Sequence, residues 1–234
     1  MSNPVLELQA ADTMADQLRH RRDTLTERER VQAAKNALLR WNEARTVTRR
    51  RIDELTVEIE RLEADSAALD KQRERLNGQL RTVIAPREAE ALQHEIATLG
   101  ARRGDLDETE LTAMEEQSRL ETELADLLAQ EEGLTSDYLG AEEALAVAEV
   151  DIDGELKRIA DRLDGLRGAV DKVVLKQYDR LRANSLVAAA GLTGSRCDGC
   201  HLDLSAAEID EVRETAAKKD GIAECPQCGR ILVV

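Results

Sequence analysis

Residues 196–232 read RCDGCHLDLSAAEIDEVRETAAKKDGIAECPQCGRIL and hold all four cysteines of the chain, Cys197, Cys200, Cys225 and Cys228. A two-residue spacer lets both sulfurs of a pair point at one ion, so two C-x-x-C pairs joined by a loop are the sequence form of a four-thiolate metal site. A thioredoxin-like redox pair needs one C-x-x-C at a strand–helix junction, not two in a short module. Rubredoxin-type iron also accepts CPQCG, but residues 187–234 contain no aromatic side chain to wrap it. The donor set therefore points to Zn²⁺, one per chain. Four thiolates close the coordination shell and leave no position for substrate or water, which makes the ion structural. Metal binding is then the main folding term of this small module.

The residues between the pairs fill in an α+β ribbon. Leu186–Leu192 is placed as a first short strand, and Gly199 as the residue of the first turn that takes a positive φ. Ser205 with Glu208 forms a capping box that opens a helix from Ala206 to about Ala217, with Ile209 and Val212 facing inward. Residues 218–221 make a turn, and residues 222–224 and 230–233 form a hairpin closed over the second pair. His201 adjoins a ligand and is placed on the surface with no assigned role.

Upstream the sequence changes character. Asn3 and Pro4 are a good N-cap and first helical residue, and no further proline follows until Pro86. Val31, Ala34, Leu38, Trp41, Ile52, Leu55, Ile59, Leu62, Leu69, Leu76, Leu80 and Val83 fall on one 3-4 alternation, with Arg45, Thr48, Ser66 and Arg73 at the polar seam positions. This is a coiled-coil seam. Met14, Leu18 and Leu25 belong to a seam out of phase with it, so the register slips between Leu25 and Val31. The helix breaks at Ala85-Pro86. A short helix, Pro86–Leu99, is expected to end at Gly100 and Gly104, and Asp105 with Glu108 to cap a last long helix. That helix carries Leu120, Leu124, Leu127, Leu134, Tyr138, Ala141, Leu145, Ala148 and Ile152, then Leu156, Ile159, Leu163, Leu166, Val170 and Val173, with a stutter between Ile152 and Leu156.

The fold class that follows is mainly α: a long antiparallel coiled-coil helical hairpin over residues 1–186, with its tip at about 84–105, followed by a small α+β C-terminal zinc ribbon of the four-cysteine type over 187–234. In this geometry facing residue numbers add to about 189. Charge favours the antiparallel pairing. Residues 19–51 are strongly basic, residues 104–155 carry Arg119 as their lone basic residue among eighteen acids, and the basic stretch lies opposite residues 138–170. Flanking charges of this kind select partner and orientation.

Composition agrees with long helices. The 234 residues include no Phe, one Trp and two Tyr, and 35% are charged. A net charge of −15 disfavours non-specific binding to polyanions. The longest apolar run is far short of a membrane span, no signal peptide is expected, and four paired cysteines suit a reducing cytoplasm. No enzyme motif is found: His94-Glu95 lacks the second His of a zincin helix, and no glycine-rich phosphate loop occurs.

The combination CDGCHLDLS…ECPQCGRIL after a long coil, with PREAEALQHEIATL and DLDETELTAMEE at the tip and LKQYDRLR before the ribbon, resembles the bacterial C4-type zinc-ribbon family with an N-terminal coiled-coil hairpin, whose members are described as nucleic-acid-binding zinc-ribbon proteins. The resemblance implies a non-enzymatic cytosolic adaptor. Members include a flagellar-assembly chaperone that binds flagellin messenger RNA and protects an alternative sigma factor, and a relative linked to type III secretion. The metal ligands carry over to Cys197, Cys200, Cys225 and Cys228. On this reading the ribbon contacts RNA or DNA phosphates through Arg196, Arg213, Lys218, Lys219 and Arg230, while the hairpin holds a protein. The alternative is a protein-only scaffold or chaperone with a purely structural ribbon, since residues 187–234 are net acidic and lack an aromatic for base stacking. Neither reading needs a membrane or a small-molecule substrate.

Overall fold

The computed structural model describes residues 3–234, which run α1 (Pro4–Asp23), α2 (Thr26–Leu80), α3 (Pro86–Ala129), α4 (Glu131–Ala169), α5 (Lys172–Arg182), β1 (Ala189–Thr193), β2 (Arg196–Cys197), α6 (Ala206–Ala217), β3 (Ile222–Glu224) and β4 (Ile231–Val233). Long antiparallel helices followed by a small four-stranded module match the fold class read from the sequence. They divide into two compact units, Arg30–Ala141 and a second formed by the segment up to Glu29 together with Glu142–Val234. Among the described residues, no helix is long and apolar enough to cross a membrane.

The unit of residues 30–141 is a helical hairpin. Asn3-Pro4 starts α1 as expected, but here it is Pro86 that starts the returning helix, with Ala85 extended at φ −78°, ψ 122°. The expected short tip helix does not exist as a separate element, because α3 runs through Gly100, Gly104 and Asp105 to Ala129. A helical glycine costs about 1 kcal/mol relative to alanine. Burial of Leu99 at 5% exposure and of Ala113 and Leu120 further along is enough to carry the helix across both. The turn is therefore residues 81–85, and the register changes with it. Facing numbers add to 167 for Arg51 and Glu116, and to 173 for Asp70 and Arg103, which are joined at 3.0 and 3.3 Å. The expected value of 189 was too large by 16 to 22, because the segment assigned to the tip belongs to the returning helix α3. The seam itself is where the pattern put it: Ile52, Leu55, Ala113 and Leu120 form its core with Ile59 and Leu124 against them. Thr48 and Ser66 are the buried polar seam positions. Trp41 is half-buried, its indole Nε1 donating to the Leu127 carbonyl at 2.7 Å.

The other unit gathers α1, the start of α2, most of α4, α5, α6 and the four strands. The expected continuous first helix is interrupted at Thr24, whose backbone N–H and hydroxyl both donate to the His20 carbonyl. The phase slip is thus relieved by a break just before Leu25, which turns inward. The buried face of α1 is Val5, Leu8, Gln9, Ala11 and Ala15, while Met14 points out at 48% exposure. The stutter at Ile152–Leu156 leaves α4 unbroken. The last long helix is instead broken at Gln130 and again at Val170, where Asp171 accepts from the Val173 and Val174 amides and caps α5. Val173, expected in the seam, is 77% exposed, and Tyr178 takes the inward position. Arg22–Asp153 and Arg28–Glu149 ion pairs cross this unit between its antiparallel helices. Within each unit basic residues of the first arm thus meet acids of the returning one, Asp153 and Glu149 in this unit and Glu116 in the hairpin unit, the last lying outside the expected 138–170.

Candidate metal centre

The sheet order is β2-β1-β4-β3, with β1 parallel to β4 and the other neighbours antiparallel. Successive strand residues point to opposite faces, and both faces are used. Ala190 and Leu232 join Leu204, Val212, Ala216, Ala223 and the inner cysteines on one side. Ala189 and Ile231 join Ala188, Val5, Leu8, Val170 and Tyr178 on the other. The expected β3–β4 hairpin is present, and β1 starts within the expected Leu186–Leu192 segment and runs one residue past it. The helix begins at Ala206 with the complete Ser205–Glu208 capping box. Val212 is buried and Ile209 packs beside it.

The aromatic missing from the ribbon is supplied from α5. Tyr178 is fully buried, and its hydroxyl donates to Asp12 Oδ2 at 2.7 Å. Beside it Gln9 Oε1 accepts from the Ala188 and Ala189 amides at 2.6 and 3.1 Å, and Gln9 Nε2 donates to the Leu186 carbonyl at 3.1 Å. Arg182 pairs with Asp16 and also donates to that carbonyl at 2.7 Å. The entry to β1 is thereby tied to α1 and α5 by polar groups around an apolar centre.

The two cysteine pairs form matching knuckles. His201 N–H donates to the Cys197 carbonyl and Gly229 N–H to the Cys225 carbonyl, both at 2.8 Å. Cys197 N–H donates to Leu202 and Cys225 N–H to Arg230 at 3.1 and 2.9 Å. The left-handed residue is the fourth after the leading cysteine in each knuckle, His201 at φ 61° and Gly229 at φ 70°. The expectation that Gly199 takes a positive φ is therefore corrected. Gly199 is needed for close approach instead: a Cβ there would lie 2.9 Å from Ala190 Cβ and 3.1 Å from Arg230 Cδ.

All four Sγ atoms lie within 4.8 Å of one another. Sulfurs about 2.3 Å from a tetrahedral zinc ion stand about 3.8 Å apart, so the cluster fits one Zn²⁺. Cys197 and Cys225 are buried, Cys200 and Cys228 half-buried. Burial above all pushes the Cys225 thiol up to about 12 and the Cys197 thiol in the same direction, against the Gly199, Cys200, Gln227 and Cys228 amides that favour thiolate. The Leu202 amide is the main influence that lowers Cys200. Metal-binding thiols must lose their protons, so the burial of the inner pair couples metal binding to the packing of this core.

The basic candidates are scattered over the module. Arg196 is exposed on β2, its Nε donating to the His201 carbonyl at 3.1 Å. Arg213 on α6 and Lys219 after it are exposed. Lys218 pairs with Glu214 at 2.7 Å. Arg230 is half-buried and bridges the knuckles, donating to the Val187 and Gly199 carbonyls, each at 2.8 Å. Sequence reasoning missed Gln9, Tyr178 and the strut role of Arg230, because their partners are brought together only by the fold.

Comparison with known proteins agrees with this architecture. Residues 196–232 match the C4-type zinc ribbon domain. An uncharacterized protein of Mycobacterium tuberculosis H37Rv is 27% identical over 233 residues, covering 98% of this chain and 93% of that protein. A solved structure from Mycobacterium smegmatis is similar at TM-score 0.67 and 27% identity, covering 99% of this chain and 96% of the other. CT398 from Chlamydia trachomatis shares the fold at TM-score 0.65 and 24% identity, covering 98% and 95%. Residues 8–186 match the CT398-like coiled coil hairpin domain, and the chain belongs to that family.

Proposed function

We propose that the chain is a non-enzymatic cytoplasmic adaptor whose helical hairpin holds a protein partner, with the zinc ribbon serving as a clamp on α1 and α5. The observation that supports this is the two-faced burial of the ribbon sheet, by α6 and the cysteines on one side and by α1 and α5 on the other. Both faces of the sheet are thereby taken up by contacts within the chain, whereas the long helices keep large exposed side chains such as Leu39, Val57, Leu128 and Leu139. Affinity purification from the native host, with and without nuclease, tests it. A protein partner that survives nuclease and 0.5 M salt is expected. Recovery of nucleic acid alone, or of proteins lost on nuclease treatment, would overturn the proposal.

The second reading is phosphate binding by the ribbon through Arg196, Arg213, Lys218, Lys219 and Arg230. Arg213 and Lys219 favour it, since neither has an ion-pair partner among the described residues. Titration with mixed RNA and DNA pools at low salt decides. Binding that falls steeply with salt and is lost in R213E/K219E supports this reading, and absence of salt-sensitive binding removes it.

A further inference from the structure

Within the unit of residues 30–141, one flank of α3 and the start of α4, beside the seam, carries a second stripe that stays largely exposed. Met114, Leu128 and Leu139 are 48, 48 and 57% exposed. Between them stand Glu121 and Glu132, eleven residues apart, and Leu128 and Leu139 repeat at the same interval. Eleven residues make slightly more than three full turns, so this spacing keeps side chains close to one line along a helix. Gln130, between α3 and α4, has helical dihedrals of φ −84° and ψ −14°, which carries the phase across the junction. At 100° per residue, Glu121 lies about 100° round the helix from the buried seam residue Leu120.

Leu128 also forms one wall of a groove of about 480 Å³ with Leu124, Arg45, Thr46, Arg49, Arg50 and Asp53. The arginines of that groove are already engaged. Arg49 pairs with Asp53 and Arg50 with Glu54, at 3.5 and 3.0 Å, while Arg45 lies over the Trp41 ring, 4.7 Å from its centroid. Glu121 and Glu132 have no ion-pair partner among the described residues. The unmatched charge beside the exposed leucines is therefore acidic.

Resting on the adaptor reading, we propose that this stripe docks a basic amphipathic helix of another protein, its apolar side chains on Met114, Leu128 and Leu139 and its Lys or Arg side chains over Glu121 and Glu132 between them. Amphipathic helices dock by laying an apolar face along a partner surface, and the anchors here stand about four and three turns apart. The span from Met114 to Leu139 is about 38 Å at 1.5 Å per residue, the length of a helix of roughly 25 residues. A second copy docking through the same stripe would set glutamate on glutamate, so the partner is a different chain.

Fluorescence anisotropy of a labelled 25-residue Leu/Lys amphipathic helix peptide against the zinc-loaded full chain tests the proposal, with a Leu/Glu peptide of the same pattern as comparison. The Lys peptide should bind and the Glu peptide should not. E121K/E132K and, separately, L128N/L139N should weaken binding by about tenfold or more. E115K/D126K makes the same charge change on another face of α3 and should leave affinity within about threefold. Circular dichroism confirms that these surface variants fold. Failure of the Lys peptide to bind, equal losses in both charge reversals, or self-association abolished by L128N would overturn the stripe. If native co-purification nevertheless persists, the adaptor reading stands without this surface.

Discussion

Gln9→Ala is the sharpest perturbation of the joint between the helices and the ribbon. Gln9 is 7% exposed, and its Oε1 is the acceptor for two backbone amides, Ala188 at 2.6 Å and Ala189 at 3.1 Å. Tyr178 does not compete for it, since its hydroxyl reaches Asp12 at 2.7 Å and Gln9 only at 3.5 Å. Truncation orphans both amides at the entry to β1, in a site walled by Tyr178, Val5 and Leu8. A buried donor left unsatisfied costs about 1–3 kcal/mol, so the pair sums to about 3 kcal/mol if the cavity admits a little water. With a urea dependence of about 2 kcal/mol per molar, the midpoint for this unit should fall by roughly 1.5 M. The assay is urea unfolding of zinc-loaded protein by circular dichroism, with hydrogen exchange of residues 187–193 as the local readout. Gln72→Ala, exposed on α2, is the control and should change stability by less than about 0.5 kcal/mol. A midpoint shift no larger than that control would refute the reasoning.

Three further outcomes follow from the same geometry. Gly199→Ala forces a methyl against Ala190, which sits in a strand and cannot swing aside, so stability should fall by about 1–3 kcal/mol and a competing chelator should remove zinc at lower concentration. At position 201, where φ is 61°, His201→Gly should be neutral or stabilising by thermal melting, and His201→Val should cost about 1–2 kcal/mol. Burial, then the bond to Asp12, raises the Tyr178 phenol above its ordinary 10.0. Its contribution to stability is therefore complete below pH 10 and is lost as pH rises beyond that, because the unfolded chain releases the proton first. Urea midpoints at pH 8 and 10.5 should differ less in Tyr178→Phe than in the parent chain.

Large aliphatic side chains and special residues made much of the fold legible from sequence. The seam from Trp41 to Leu80, the helix start at Pro86, the Ser205–Glu208 box and the four thiolates each depend on local chemistry, and each lies where its pattern placed it. What was not legible depends on competition between local and tertiary terms. Gly100 and Gly104 carry a local penalty that reads as a helix end, but the leucines flanking them in the seam outweigh it. The resulting change of register moves the acidic arm by nearly twenty residues. Beside Val5 and Leu8, the inward face of α1 is built from Gln9, Ala11 and Ala15, whose small or polar side chains give no heptad signal and serve close packing and the β1 amides. At the metal site, the ligands were legible, while the second core around Tyr178 was not, because a ribbon read by itself shows no partner for Ala189 and Ile231. Arg230 had the signature of a surface cation and is a strut between knuckles.

Hydrogen exchange on the zinc-loaded chain and on the same chain after chelation most directly tests whether ribbon and helices form one metal-dependent assembly. Removing the ion should expose the amides of residues 188–233 and, through the shared core of Val5, Leu8, Tyr178 and Ile231, those of α1 and α5 as well, while α3 keeps its protection. Loss confined to residues 196–232, with α1 and α5 unchanged, would contradict the account.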